Sequence, residues 1–494
     1  MPGPRVRGRS RRKRKRPQAC PIGREDCTGP RGADTSIVEL PWGLGIRVFQ
    51  TQESGMEWDL SNLYRLVARC RILSLGSWCQ ESHGRTARAH ATIRHGESGP
   101  QSTIISPSTR PKPRARDPEG SPHGLSPQAS PIPMQQSPLL DHHRAQGARV
   151  TGTHADAQVL TFGAVPEEYA AGTQSCSLID ASTSGAIVVR GPDAPAFLHR
   201  LLANEVLPLQ IREGNPNLLL TPKGKIQARF DLFREPDGYR LETPVGVTES
   251  LLTSLDMYLF GEDVELQDVG AECAALFLGG PRAKEIAEAT VGPLTSNMDI
   301  RDWQGLPLRI SSAEVAGDRG LRLDAGEQGC LALWQALQTA GATPLGRVAE
   351  DSLRVEALRP RWGLDISDEI YPSEARLDNE FNLEKGCYIG QEVVAKINTY
   401  GGLNKQLFCL ALDMDDPLPL GARLTRDVDG ETRDLGLITT WAYSFHLDQA
   451  VALGYIKKRH QEPGTQFQVG DTGATATLLK GKPLRQIAGA WNAP

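Results

Sequence analysis

LEKGCYIGQEVVAK, residues 383–396, is the stretch on which the reading of this chain turns. Gly386 and Gly390 bracket Cys387, Tyr388 and Ile389, and glycines on both sides permit tight turns and close approach of a ligand to the backbone. Lys385 precedes the thiol, and IGQEVVAKI behind it reads as the opening of a helix, with Gln391 and Glu392 in its first turn. A cysteine beside a cation or a helix N-terminus holds more thiolate and reacts more readily. The alternative reading of Cys387 is a small buried hydrophobe.

Working outward, residues 353–397 form the densest run of charged, aromatic and glycine residues in the second part of the chain. Arg354 and Glu356 fall on a helix expected to begin near Ala349, and Pro360 ends it just before Arg361 and Trp362. Glu374, Asp378, Glu380 and Glu384 then crowd towards Lys385, and the interleaved aromatics and glycines favour the lip of a folded pocket over a solvated loop.

Upstream, SGAIVVRG (184–191) is a β-branched run bounded by glycines and reads as a strand. DAPAFLHRLLAN follows as a helix with Asp193 as its expected cap and His199 in a structural role. NLLLTPKGKIQARFDLF reads as strand, turn at Gly224, strand, and PDG (236–238) as a second hairpin turn before YRLET. Residues 247–260, 281–289 and 329–341 have helical periodicity, while AALFLG, PLRI and LRLDA read as strands. Strands joined by tight turns and interrupted irregularly by helices predict an α+β fold rather than a parallel doubly wound sheet.

From Lys405 the texture is short strands and turns with no convincing helix, which predicts a small closed or sandwich-like β-domain. DVDGE (427–431) is read there as a hairpin turn rather than a calcium loop, since its first Asp and terminal Glu are misplaced for ligation. The expected organisation is thus a basic Pro/Gly/Arg-rich extension over 1–156, unfolded or not truly translated, a main region over 157–403, and a β-barrel over 404–490.

Charge divides along the same line. Residues 1–150 carry 24 Lys and Arg against 12 Asp and Glu, whereas the rest carry 31 against 47. An acidic body repels bare polyanions at long range. Any nucleic-acid contact is expected to be weak and confined to residues 1–150, where RRKRKR (11–16) lacks interleaved aromatics for base stacking. The nine cysteines show no CxxC pair and no zinc spacing, so no metal is expected and a reducing compartment suits them. No apolar run is long enough to span a membrane. The cytoplasm is the expected location, or the mitochondrial matrix in a eukaryote.

KGCYIGQE resembles the signature of the YgfZ-type folate-binding proteins, relatives of the glycine-cleavage T-protein. Asn204-Glu-Val, TPKGKI (221–226), Arg354 with Glu356, RWGLDI (361–366) and Pro372 agree with that wider group, as do GLITTW (436–441) and ALGYIK (452–457) in its C-terminal barrel. The resemblance covers about residues 157–485. It implies a T-protein-like α+β fold ending in a small barrel, and tetrahydrofolate bound in a central channel. It further implies an accessory role, without turnover, in making or repairing iron–sulfur enzymes, including those that modify tRNA. In that role Cys387 is the working thiol, and Lys385, Gly386, Tyr388, Gly390, Gln391, Glu392 and Asn204 shape the pocket. Arg354 and Glu356 orient the adjoining wall.

Four positions depart from the group. Lys396 stands where the signature carries Arg, keeping a cation without its bidentate fork. The T-protein uses a carboxylate in a G-G-I-x-D-D pattern, where this chain reads GKIQAR with Ala228 and Arg229. It uses a Glu in a strand to hold the pterin, where GLRL here places Arg322. Missing acids argue against the other branch of the group, a tetrahydrofolate-dependent aminomethyltransferase.

Overall fold

A computed structural model describes residues 35–39, 45–49, 136–152 and 157–485. Two units are distinguished, residues 1–57 and 58–494. The first contributes an antiparallel hairpin of β1 (Thr35–Glu39) and β2 (Gly45–Phe49). RRKRKR (11–16) and Cys20, Cys27, Cys70 and Cys79 lie outside the described residues.

The folded body begins before residue 157, which corrects the expected boundary. α1 (Leu140–Ala145) and β3 (Arg149–Thr151) precede it, and β3 pairs with β4 (Gln158–Thr161). His143 is buried, edge-on to Trp334, and its Nε2 meets Asp180 Oδ2 at 3.0 Å. A helix of six residues cannot hold itself in water, so these tertiary contacts, invisible to local composition, make it.

Two sheets follow, interleaved in sequence and antiparallel except for one two-residue parallel pair. α2 (Val165–Gln174) leads into β5 (Ser177–Ala181), β6 (Gly185–Arg190) and α3 (Ala194–Leu201). Asp193 does not cap α3; its Oδ2 accepts the N–H of Asp263 at 2.9 Å instead. β7 (Gly214–Leu220), β8 (Ile226–Glu235) and β9 (Gly238–Thr243) form the two hairpins that the turns predict, followed by α4 (Thr248–Asp256) and β10 (Glu265–Asp268). The first sheet runs β10-β6-β9-β8-β7. α3 and α4 cover one face of it through Phe197, Leu198, Leu251 and Leu255, packed on Ala228, Phe230 and Leu232.

β11 (Ala275–Gly279), α5 (Ala283–Val291), β12 (Met298–Trp303), β13 (Leu306–Val315), β14 (Asp318–Asp324), α6 (Gly326–Thr339) and the two-residue β15 (Thr343–Pro344) complete the second sheet and its helices. Its order is β12-β13-β14-β11-β5-β15, with β15 against β5 as a parallel pair. Trp334, Leu333 and Leu337 of α6 join Leu276, Leu321 and Leu323 in its core. Each such buried leucine contributes about 1.5–3 kcal/mol.

α7 (Arg347–Glu356) then leads through an irregular segment to α8 (Gln391–Tyr400). β16 (Lys405–Leu412), β17 (Arg423–Val428), β18 (Glu431–Ser444), β19 (Gln449–Lys457), β20 (Gln466–Val469) and β21 (Thr475–Leu478) close a six-stranded barrel in the order β16-β19-β18-β17-β20-β21. DVDGE is a hairpin turn: Asp429 and Gly430 have φ of 58° and 82°, the paired positive values of a tight turn that matches strand twist. Val348, Ala349 and Leu353 of α7 share one core with Leu410, Ile438 and Ile456 of the barrel, so α7 is the seam between body and barrel.

Candidate functional site

β8 alternates. Ala228, Phe230 and Leu232 pack beneath the sheet, which turns Arg229 and Asp231 to its other face. That face, the inner strands of the second sheet and the segment after α7 surround a cavity of about 1320 Å³. Its wall includes Asn204, Arg229, Asp231, Phe233 and Glu242 from the first sheet and its approaches. Ser312, Glu314, Arg319 and Arg322 come from β13 and β14, and Arg347, Glu350, Arg359, Arg361, Trp362 and Glu380 from α7 and beyond. Of the four acids expected at a pocket lip, Glu380 lines this cavity, beside Arg359, Arg361, Trp362 and Asn379, whereas Glu374, Asp378 and Glu384 do not.

Arg229 spans the cavity. Its Nε and Nη2 donate to the two carboxylate oxygens of Glu380 at 2.8 and 2.7 Å, and Nη2 also reaches Glu314 at 3.4 Å. Arg359 meets the same Glu314 at 3.3 Å. Burial raises the Glu380 carboxyl, with Arg229 opposing it.

Asp231 stands directly opposite Glu242 in the β8–β9 register. Burial lifts its carboxyl to about 7; Arg229 opposes that rise, and the charges of Glu242, Glu380 and Glu314 add to it. Ala228 faces the core and Arg229 is ion-paired, but the next residue on the same face supplies a carboxyl poised near neutrality. Period-two alternation carries this signal, because residues 229 and 231 must share a face.

Glu242 and Arg322 are buried to 4% and 3% exposure. Glu242 Oε2 accepts from Ser311 Oγ at 2.9 Å, while its Oε1 has no hydrogen-bond partner. Nε and Nη2 of Arg322 likewise have none. The Arg322–Glu242 and Arg322–Asp324 contacts, at 3.7 and 3.8 Å, are ion pairs beyond hydrogen-bond reach.

The signature loop lies elsewhere. Among residues 385–392 none lines this cavity, which corrects the expectation that Lys385, Gly386, Tyr388, Gly390, Gln391 and Glu392 shape its pocket. The reasons are local. Lys385 Nζ donates to the carbonyls of His199, Leu202 and Asn204 at 2.8, 2.6 and 2.8 Å, so the ammonium closes off the end of α3. His199 Nε2 meets Lys385 O at 3.1 Å in return, a structural role for that histidine. The Tyr388 ring is buried with Ile226 and Val394. Gln391 donates to Leu383 O at 3.1 Å, and Glu392 pairs with Lys396 at 2.6 Å on the exposed face of α8. Gly386 has φ of 112°. Gly390 begins α8 at φ of 78°, and a Cβ there would lie 2.5 Å from Thr221 O and 2.9 Å from Gly224 Cα. The signature thus packs on the TPKGK turn. Its link to the cavity is Asn204, whose Nδ2 donates to Pro216 O at 2.9 Å and Asn379 O at 3.2 Å.

Cys387 is exposed, whereas Cys176, Cys273, Cys330 and Cys409 are buried. Burial pushes the thiols of Cys176 and Cys273 up to about 12 and about 11, and those of Cys330 and Cys409 higher. Among the described residues no group of three or more His, Cys, Asp or Glu side chains could hold a metal ion. No helix among them is long and apolar enough to cross a membrane.

Arg354 and Glu356 are buried outside the cavity. Arg354 binds Asp351 at 2.6 Å, Asp365 at 2.7 Å and Thr440 at 3.0 Å. Asp351 also accepts from Arg361, a wall residue, at 3.0 Å. Burial opposes ionisation of Asp351, but Arg354, Arg361 and Arg347 hold its carboxyl well below the usual range. Glu356 accepts from Tyr169 Oη at 2.6 Å and from Ser444 Oγ at 2.7 Å, tying α2, α7 and β18 together.

Residues 139–385 match the GCVT N-terminal domain and residues 405–481 the glycine cleavage T-protein C-terminal barrel domain. An aminomethyltransferase of Geobacillus kaustophilus is 29% identical over 354 residues, covering 69% of this chain and 95% of the relative. A putative chloroplastic transferase of Arabidopsis thaliana is 28% identical over 342 residues, covering 68% and 78%. The crystal structure of glycine cleavage system aminomethyltransferase T from Bartonella henselae superposes with a TM-score of 0.63 at 22% identity, over 71% of this chain and 98% of that one.

Proposed function

Because the chain belongs to the glycine-cleavage T-protein family, we propose that it binds tetrahydrofolate in the cavity and serves as a YgfZ-type accessory protein. In this reading it supports assembly or repair of iron–sulfur enzymes, tRNA-modifying ones among them, through the thiol of Cys387, in the cytoplasm or a mitochondrial matrix. The observation that carries the thiol role is exposure: of the five described cysteines, Cys387 alone reaches solvent. It does so from a loop that Lys385 and Gly390 hold rigidly.

The cavity residues fit the ligand. Trp362, Phe233 and Phe277 offer apolar faces to a ring, Arg359 and Arg361 offer cations to the carboxylates of a glutamyl tail, and Glu242 offers a free acceptor to ring N–H groups. Tetrahydrofolate, when bound, supplies a carrier for one-carbon units. The chain's own residues hold it, exclude water and keep a proton at Asp231 near neutral pH.

The test is complementation. Cys387→Ala is expected to abolish rescue of an iron–sulfur enzyme in cells lacking this protein, while lowering Tm by no more than a few degrees. Undiminished rescue refutes the thiol role.

Asp231 favours a second reading, an aminomethyltransferase in which that carboxyl takes or gives the proton as the carrier amine departs. Production of methylene-tetrahydrofolate from an aminomethylated lipoyl carrier, lost in Asp231→Asn, would establish it over the accessory role.

A further inference from the structure

The outer surface of the barrel carries a cluster of cations that the acidic average of residues 151–494 hides. Arg426 of β17 stands directly opposite Arg433 of β18, and Lys405 of β16 directly opposite Lys457 of β19. Like charges facing each other across a ladder repel and destabilise a sheet. The neighbouring acids do not cancel them. Glu431 meets Arg433 at 3.4 Å and Asp434 pairs with Arg423, but Arg426 and Arg459, both exposed, have no acid paired with them among the described residues. Burial lowers the imidazole of His460, and the charges of Arg426, Arg433, Arg459 and Lys457 lower it further, so the turn after β19 closes the same cluster.

The cluster adjoins the end of α8. The ammonium of Lys458 donates to the carbonyl of Gly401, and the ring of Tyr400 beside it is 83% exposed. An open aromatic face among cations has the two parts that grip an unpaired base and the phosphates next to it. An acidic protein surface would use the cations and leave the ring idle, and a duplex would offer the ring no free base. Guanidinium groups at the centre suit phosphate, which they meet with two parallel hydrogen bonds. We propose that this face of the barrel binds single-stranded nucleic acid, with Arg426, Arg433 and Arg459 on phosphates and Tyr400 stacked on a base. Neither folate nor Cys387 takes part. The nucleic-acid contact expected of residues 1–150 is thereby extended to the body, where the fold gathers cations that lie far apart in sequence.

The experiment measures fluorescence anisotropy of labelled oligouridylate and oligothymidylate, each about twelve nucleotides long, with the full chain between about 50 and 200 mM salt. Residues 1–150 also attract polyanions, so each variant is read against the wild type. The triple variant Arg426→Gln/Arg433→Gln/Arg459→Gln is expected to weaken binding at least tenfold at low salt and to reduce the salt slope by about 2, from about 0.7 for each lost phosphate contact. Tyr400→Ala is expected to weaken binding about five- to hundredfold with the slope unchanged. Tm is recorded for both, and the triple variant is expected to match or exceed the wild type because a repulsion has been removed. Ultraviolet cross-linking and peptide mapping should place the strand on the peptide containing Tyr400. Tighter binding of either oligonucleotide supports the assignment and identifies the strand as RNA or DNA. An unchanged affinity and slope in the triple variant, or cross-links confined to residues 1–150, overturns it. So does displacement by polyglutamate, charge for charge, with Tyr400→Ala neutral, since the surface then takes an acidic protein.

Discussion

The ammonium of Lys385 lies 2.8 Å from the carbonyl oxygen of Asn204, and through this bond the signature loop is fastened behind the cavity wall without entering it. The loop's most distinctive cation is a structural fastener, and the thiol two residues later is left free to face solvent. Lys385→Met removes three donors at once and strands the carbonyls at the end of α3. It is expected to cost about 2–4 kcal/mol, read as a fall in denaturation midpoint. Cys387→Ala, by contrast, is expected to shift the same midpoint by less than about 0.5 kcal/mol. Equal effects would mean that the loop is not held as described.

Arg229 and Glu380 form a two-pronged pair in which the acid is 1% exposed. Arg229→Met leaves that carboxylate buried without its partner and is expected to destabilise by about 3–5 kcal/mol. Adding Glu380→Gln should recover more than half of the loss. A single and a double variant of equal stability would show that the pair carries no such charge.

Asp231 makes stability depend on pH in a defined direction. In the unfolded chain its carboxyl ionises near the ordinary value of about 3.9, whereas in the folded cavity it holds its proton to about 7. Between those values the native state binds a proton that the unfolded state has lost, so stability falls as pH rises across the window and levels off above it. Asp231→Asn should remove about 1–2 kcal/mol of this decline, allowing for solvent contact in the cavity. Denaturation at pH 4.5 and 8 checks it, and an unchanged slope refutes the buried titration.

Gly390→Ala places a Cβ 2.5 Å from Thr221 O at a positive φ. Strain and clash together are expected to cost about 2–4 kcal/mol and to loosen α8 from the TPKGK turn. Faster hydrogen exchange confined to residues 386–397 would report that loosening; a variant as stable and as protected as wild type would contradict the packing.

Thiol accessibility gives a direct check on Cys387. Brief alkylation of the native protein followed by peptide mapping should label Cys387 and spare Cys176, Cys273, Cys330 and Cys409. Labelling of the four buried sites at a comparable rate would show that the folded cores open far more often than their packing allows.

Local pattern alone determined much of this protein. The hairpins at Gly224 and 236–238, the helix behind Gly390, the barrel after residue 405 and its family all follow from turn residues, periodicity and one eight-residue signature. Only tertiary structure decided what those residues face. Lys385 and Glu392 look alike as charges in a sequence, yet one is half-buried and bonded to the carbonyls at the end of α3 while the other lies in solvent. Arg322 looks like the loss of an acid until the opposing sheet brings Glu242 beside it. Local pattern reports what a side chain prefers, whereas the sites depend on which distant side chains share its low-dielectric surroundings, and that is fixed only when two sheets pack face to face.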